Sequence, residues 1–155
     1  MKDQIYQFLS HTPPFSELPE NELLRVAGEM SVEIFPKNIV LSVQGKTKLE
    51  SVYIIKEGSL ELFYETDGEK ELTGLLQPGE IFGGICILMN AGISVRTVKI
   101  VDDSTLYALP QKVFLEICAR HNFLYEYFAA KFRKRMSDES YSSVATAGQA
   151  KHFLS

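Results

Sequence analysis

"SLELFYETDGEKELTGLLQ", residues 59–77, decides how the chain is read. Leu60, Leu62 and Tyr64 recur at every second position, the period of a strand with one face buried. Asp67-Gly68 follows, and a second strand-like run begins at Lys70. A tight two-residue turn needs positive φ at both centres, which Asp and Gly tolerate, so this stretch predicts a β-hairpin.

Outward from the hairpin the same texture holds from Ser31 to Leu109. The segments "SVEIF", "NIVLS", "SVYIIK", "SLELFYE", "KELTGLLQ", "SVRTVKIV" and "STLYALP" read as strands. The breaks between them fall at Pro36-Lys37-Asn38, Gln44-Gly45-Lys46, Glu57-Gly58, Asp67-Gly68, Pro78-Gly79 and Asp102-Asp103. Short, evenly spaced strands with such turns predict an antiparallel barrel or jelly roll.

Both ends of the chain switch to a helical period. Ile5, Phe8 and Leu9 predict a short helix over residues 3–9. In "SELPENELLRVAGEM", Pro19 suits a first helical turn, Glu20 and Glu22 suit its positive end, and Gly28 weakens or stops the helix. After Pro110, Val113, Phe114, Ile117 and Cys118 share one face. Phe123, Leu124, Tyr127, Phe128 and Phe132 continue on a second helix that "KFRKR" closes with positive charge. The fold class is therefore α+β and mainly β: an antiparallel β-roll or jelly roll flanked by N-terminal and C-terminal helices. Residues 1–136 read as one domain and residues 137–155 as a small, polar linker toward a missing C-terminal region, with "HFLS" an apolar restart.

Composition narrows the function. The chain has 155 residues, 45% apolar and 23% charged, and a net charge of -4, so it is globular and lacks the basic balance of a nucleic-acid binder. No apolar run approaches the roughly 20 residues a bilayer span requires. Cys86 and Cys118 read as reduced core thiols and the chain as cytoplasmic. His11, His121 and His152 are scattered, no HxH, HExxH or CxxC occurs, and no catalytic motif is present, so neither a metal, a cofactor nor an enzyme is expected.

"FSELPENELLRVA", "VYIIKEGSLELF", "LLQPGEIFGG" and "TVKIVDDSTLYALP" resemble, in this order, the cyclic-nucleotide-binding domains found in catabolite-activator proteins and protein kinase A regulatory subunits. The resemblance spans about Pro14 to Met136. Gly45, Gly58, Gly79 and Gly83 match the family's structural glycines, and Asn38 stands where a glycine is usual. It implies a β-roll with an N-terminal helical piece and two C-terminal helices serving as hinge or lid.

The chemistry turns on "FGGICILMNAGISVRTV", residues 82–98. Gly83 and Gly84 let the backbone approach a ligand, and "ICILM" supplies a short helix whose first N–H groups face an anion. The resemblance implies a glutamate after the Phe-Gly pair for the ribose and an arginine on the next strand for the phosphate. Those positions hold Gly84 and Ser94 here. Losing a charge-assisted hydrogen bond costs about 1.5–3 kcal/mol and losing a bidentate arginine contact at least as much, which together is about two to four decades of affinity. The candidate anion pocket comprises Gly83, Gly84, Ile85, Cys86, Ser94, Val95, Arg96 and Thr97. Two readings of Arg96 stay open. Two residues beyond Ser94 on a strand, it enters the pocket beside the Ser94 hydroxyl, or it points to solvent and pairs with an acid such as Glu80.

Three functions follow. The first is a regulatory sensor for a small anion or nucleotide that binds cyclic AMP weakly or not at all. The second is a ligand-free structural or dimerisation module, and the third a cupin-type enzyme, which the missing metal ligands disfavour. Tyr127 and Phe128 pack on the ligand or on a second subunit, and a homodimer through the C-terminal helices is the favoured expectation. About twenty residues follow Met136, too few for a winged helix-turn-helix, so no nucleic-acid partner and no membrane partner are expected. The "FGGI…GISVRTV" cassette resembles that of bacterial signalling proteins in which such a domain precedes paired CBS domains and a nucleotidyltransferase.

Overall fold

Two long strands organise the sheet. The computed structural model describes residues 1–142, with side chains through residue 137. Its elements are α1 (Lys2–Leu9), a 3-10 turn (Phe15–Glu17), α2 (Glu20–Glu29), β1 (Ser31–Phe35), β2 (Val40–Ser42), β3 (Ser51–Thr66), β4 (Glu69–Leu76), β5 (Ile81–Phe82), α3 (Gly84–Met89), β6 (Thr97–Pro110), α4 (Gln111–Arg120) and α5 (Asn122–Ser142). β3 and β6 pair antiparallel from Ser51 opposite Pro110 to Phe63 opposite Thr97. The order is β1-β6-β3-β4, with β2 added to β6 and β5 to β3, so the predicted antiparallel β-roll flanked by helices is what forms. The Asp67-Gly68 turn joins β3 to β4, with φ of 48° and 82° and Thr66 opposite Glu69.

The strand count is corrected. "SVYIIK" and "SLELFYE" are one strand, β3, and "TVKIV" runs on into "STLYALP" as β6. Glu57-Gly58 and Asp102-Asp103 are not ends, because they lie across from each other. Glu57 pairs with Thr105 and Ser59 with Asp102, with register shifts between. Both strands bulge at one place, so the sheet bends there and pairing continues. Gly58 (φ 102°) lets the strands meet, since a Cβ on it would lie 2.0 Å from Ser104 Oγ. The two-residue strand β5 went unread in the sequence. It is too short for a periodicity and forms because the Pro78-Gly79 turn brings Ile81 and Phe82 against Ile54 and Tyr53.

Three helix details also differ. Pro19 caps α2 from outside, with ψ of 147°. Gly28 lies inside α2, which runs on to Glu29. α5 does not close at "KFRKR" but continues through Ser142, and no Gly or Pro interrupts residues 122–142. Residues 137–142 of the expected linker are thus helical, and residues 143–155 lie outside the described residues.

Alternation along β3 and β6 divides the core. Val52, Ile54, Tyr107 and Leu109 face the helices, packing with Ile5, Leu23, Phe114, Ile117, Leu124 and Phe128. Ile55, Leu60, Val98, Ile100 and Leu106 face into the roll with Leu76, Phe82 and Val95. α3 straddles the two, giving Ile85 and Ile87 to the helical side and Cys86 to the roll. A cavity opens where these two cores and α5 meet.

Candidate functional site

The wall of the cavity begins at Gly83. Its φ of 100° belongs to the left-handed region, and a Cβ there would stand 3.1 Å from the Ser51 carbonyl oxygen. This lets the chain leave β5 and turn at once into α3. Gly84, Ile85, Cys86 and Ile87 are all buried.

The opposite edge, residues 92–96, is zipped to the loop after β2. Leu49 N–H donates to Gly92 O at 2.8 Å, Ser94 N–H to Thr47 O at 2.9 Å, and Gly45 N–H to Ser94 O at 2.8 Å. A clasp fixes the start of β6. Gln44 and Glu65 exchange two hydrogen bonds, Gln44 Nε2 to Glu65 O at 2.9 Å and Glu65 N–H to Gln44 Oε1 at 2.8 Å. Thr97 Oγ1 accepts from Gln44 N–H at 3.0 Å and donates to Glu65 Oε2 at 2.5 Å.

The predicted pocket residues therefore part company. Gly83, Gly84, Ile85, Cys86, Val95 and Arg96 line the cavity. Ser94 and Thr97 are not among its lining residues. Thr97 belongs to the clasp. Ser94 Oγ donates to Arg96 O at 2.6 Å and accepts from the Ser42 hydroxyl at 3.0 Å, so its hydroxyl is turned into the backbone. Ser94 and Arg96 also precede the strand rather than lying on it, because β6 starts at Thr97.

Arg96 faces inward and is only 6% exposed, which excludes the solvent-pointing reading. Its guanidinium lies 4.8 Å from the centroid of the Tyr64 ring and Nη1 donates to Val95 O at 2.9 Å. The cation is thus held against an aromatic ring inside the roll. Glu80 also lines the cavity, exposed, its carboxylate accepting from Gln77 N–H at 3.3 Å.

α5 closes the site. Tyr127, Phe128, Lys131 and Arg135 line it from that side. The Phe128 ring covers Gly84, where a Cβ would stand 2.7 Å from Cε1, and it meets Phe114 edge-on with centroids 5.2 Å apart. Phe128 thus packs within this chain on Gly84 and Phe114 while also lining the cavity. Lys131 Nζ sits 4.8 Å from the Tyr127 ring centroid. In the sequence these cations read only as the positive close of the last helix. The signal passed over is their spacing: residues 127, 131 and 135 repeat every four positions and share a helix face. Leu62 and Leu76 supply apolar lining from β3 and β4. The concavity takes in about 770 Å³, its open mouth included.

Cys86 lies at the floor. Burial raises its thiol pKa, while the backbone N–H and the positive fields of Arg135 and Arg96 act in the opposite sense.

Residues 32–121, more than half of the chain, match the family described as "Cyclic nucleotide-binding domain". The chain is 27% identical over 157 residues to a cAMP-dependent protein kinase regulatory subunit of Mucor circinelloides f. lusitanicus, covering 97% of this chain and 35% of that protein. It is 29% identical over 100 residues to the cGMP-dependent protein kinase egl-4 of Caenorhabditis briggsae, covering 63% of this chain and 13% of that protein. Among solved structures, the regulatory domain of Toxoplasma gondii PKA with cAMP superposes with a TM-score of 0.68 at 27% identity, over 75% of this chain and 44% of that one. The sensor domain of the transcriptional regulator DNR from Pseudomonas aeruginosa superposes with a TM-score of 0.75 at 16% identity, over 95% and 97% of the two chains, and speaks to the fold alone. The chain thus spans about a third or less of the curated relatives it matches. Among the described residues no helix is long and apolar enough to cross a membrane.

Proposed function

The chain belongs to the cyclic nucleotide-binding domain family, and from that premise we propose that it is a regulatory sensor module whose pocket takes a small anionic ligand and binds cyclic AMP weakly or not at all. The observation that carries this reading is the Phe128 ring on Gly84. A family member that grips a ribose through a carboxylate at this position needs room for the side chain, and here an aromatic ring fills that room. Arg96 offers a buried cation on the pocket wall, displaced from the position the family uses. A buried guanidinium holds a phosphoryl oxygen far more strongly than an exposed one. Ligand entry between Arg96 and α5 would change how α5 rests on α3 and α4, and that differential affinity for two helix positions is what a sensor transmits.

A second reading rests on the same contact. With Phe128 3% exposed and Gly84 beneath it, the fold holds itself closed without a ligand, as a structural module would.

Thermal-shift titration of the 155-residue chain separates them. The sensor reading expects orthophosphate or adenine nucleotides to raise Tm, by an amount set by mass action, and Arg96→Ala to abolish the rise. Cyclic AMP and cyclic GMP at micromolar levels are expected to leave Tm unchanged. A rise with micromolar cyclic AMP overturns the altered-pocket reading, and silence with every anion favours the structural module.

A further inference from the structure

The roll has an outer face as well as an inner one. Strands β2, β6, β3 and β4 lie side by side, and their register lines up one residue from each. Val40 is opposite Lys99, Lys99 opposite Glu61, and Glu61 opposite Leu75. Residues directly opposite in antiparallel strands share a face. Leu60, Val98 and Ile100, which alternate with this row, fill the inside of the roll, so the row points outward. Val40 and Leu75, at its two ends, are each 49% exposed. Leu72, opposite Phe63 and nearer the Asp67-Gly68 turn, is 55% exposed and extends the apolar end.

The row reads apolar, positive, negative, apolar. Turned by half a rotation about an axis that runs along the strands between β6 and β3, it meets itself in complement. Val40 of one copy then faces Leu75 of the other, and Lys99 of one faces Glu61 of the other. Each contact occurs twice, as an isologous interface requires. A purely acidic or purely basic partner would leave one of the two charges against its like. Neither Lys99 nor Glu61 forms an ion pair with another described residue. The face also backs onto the candidate site. Leu62 and Leu76 directly follow Glu61 and Leu75, turn the other way and line the cavity.

We infer that the outer face bearing Val40, Lys99, Glu61 and Leu75 docks a second copy of this chain, sheet on sheet, about a two-fold axis along the strands. Burial of the apolar ends drives the association, and the two Lys99–Glu61 contacts fix its register. A face three strand spacings wide, about 14 Å, is a small patch beside the roughly 800 Å² per partner of a standard interface. The dimer is therefore weak and concentration-dependent.

Sedimentation equilibrium of the 155-residue chain, from micromolar to millimolar concentration, tests this. The wild type is expected to pass from monomer to dimer. Glu61→Lys and Lys99→Glu each set like charges against each other at two places, and each should raise the dimer Kd at least about tenfold. The double variant Lys99→Glu/Glu61→Lys restores opposite charges across the axis and should return Kd close to the wild-type value. Leu75→Ser, which keeps every charge, should also weaken the dimer. These side chains are exposed or half-buried, so dilute samples of all four variants should melt close to the wild type. A wild type that stays monomeric throughout overturns the inference. A dimer that both single reversals leave intact overturns it too, since the contact then lies elsewhere, on α5 or another face. So does a double variant that dimerises no better than the single ones, because Lys99 and Glu61 then do not face each other across the axis.

Discussion

The Phe128 ring rests on the backbone of Gly84 so closely that a Cβ there would stand 2.7 Å from Cε1 and 2.9 Å from Cδ1. Phe114 stands 3.3 Å from the same point, so the ring cannot slide away on that side. Gly84 is the seat of the closing helix α5.

Gly84→Ala should therefore destabilise the chain, by about 1–3 kcal/mol for an overpacked contact. Phe128→Ala should cost about 3–5 kcal/mol by leaving a cavity over Gly84. In the Phe128→Ala background the added methyl has room, and the Gly84→Ala cost should fall to near zero or reverse. Urea denaturation of the four proteins gives the coupling. Additive costs would mean that the ring and the glycine are not in the contact described.

Gly58 makes a stricter demand. A Cβ on it would lie 2.0 Å from Ser104 Oγ and 2.7 Å from Ser104 Cα, at a φ of 102°. Gly58→Ala should lower Tm more than any other glycine-to-alanine change in the sheet. Ser104→Gly should not rescue it, since the backbone atom and the positive φ remain. Rescue by Ser104→Gly would show that only the hydroxymethyl stood in the way.

Much of this was legible in advance, and the limits have physical causes. Alternation at Leu60, Leu62 and Tyr64 and the Asp67-Gly68 turn identify the hairpin because both signals are local. Glu57-Gly58 and Asp102-Asp103 look like chain breaks one at a time. Only their pairing across β3 and β6 makes them a shared bulge, and pairing is not written in either segment alone. In the site, Gly83, Gly84 and Arg96 lie on the cassette and could be named from it. Ser94 could not be excluded without seeing its hydroxyl committed to Arg96 O. Lys131 and Arg135 lie some forty residues farther along the chain, and a helix face says nothing about which cavity it covers until the packing of Phe128 is known.

The two thiols should be silent. Burial raises the pKa of Cys86 and lifts that of Cys118 to about 12, and both side chains are buried. Thiolate, the reactive form, is then scarce at neutral and mildly alkaline pH. With an aromatic disulfide reagent at about pH 8, near the ordinary thiol range, neither cysteine should react in the folded chain, and both should react in denaturant. Rapid labelling of Cys86 in the native protein would mean that the cavity floor opens to solvent.

Glu22 sets the acid limit. Its side chain, 15% exposed, accepts Arg25 Nη2 at 2.6 Å and Arg120 Nη2 at 2.8 Å, and lies 3.2 Å from His121 Nε2. It thereby ties α2 to the junction of α4 and α5. Burial alone would raise its pKa, but the hydrogen bonds from Arg25, Arg120 and His121 outweigh burial and bring it from 4.5 down to about 2. A carboxyl depressed in the folded state stabilises fully above its unfolded pKa, and the contribution fades as pH falls through the window from 4.5 to about 2. Wild type should therefore exceed Glu22→Gln in denaturant midpoint at about pH 7, where the carboxylate is fully charged. The gap should hold down to about pH 5, narrow below 4.5 and be mostly lost by about pH 2, where the folded-state Glu22 carboxyl is half protonated. A gap that stayed constant across that window would mean that the carboxylate charge at Glu22 contributes nothing to holding α2 against the helix junction.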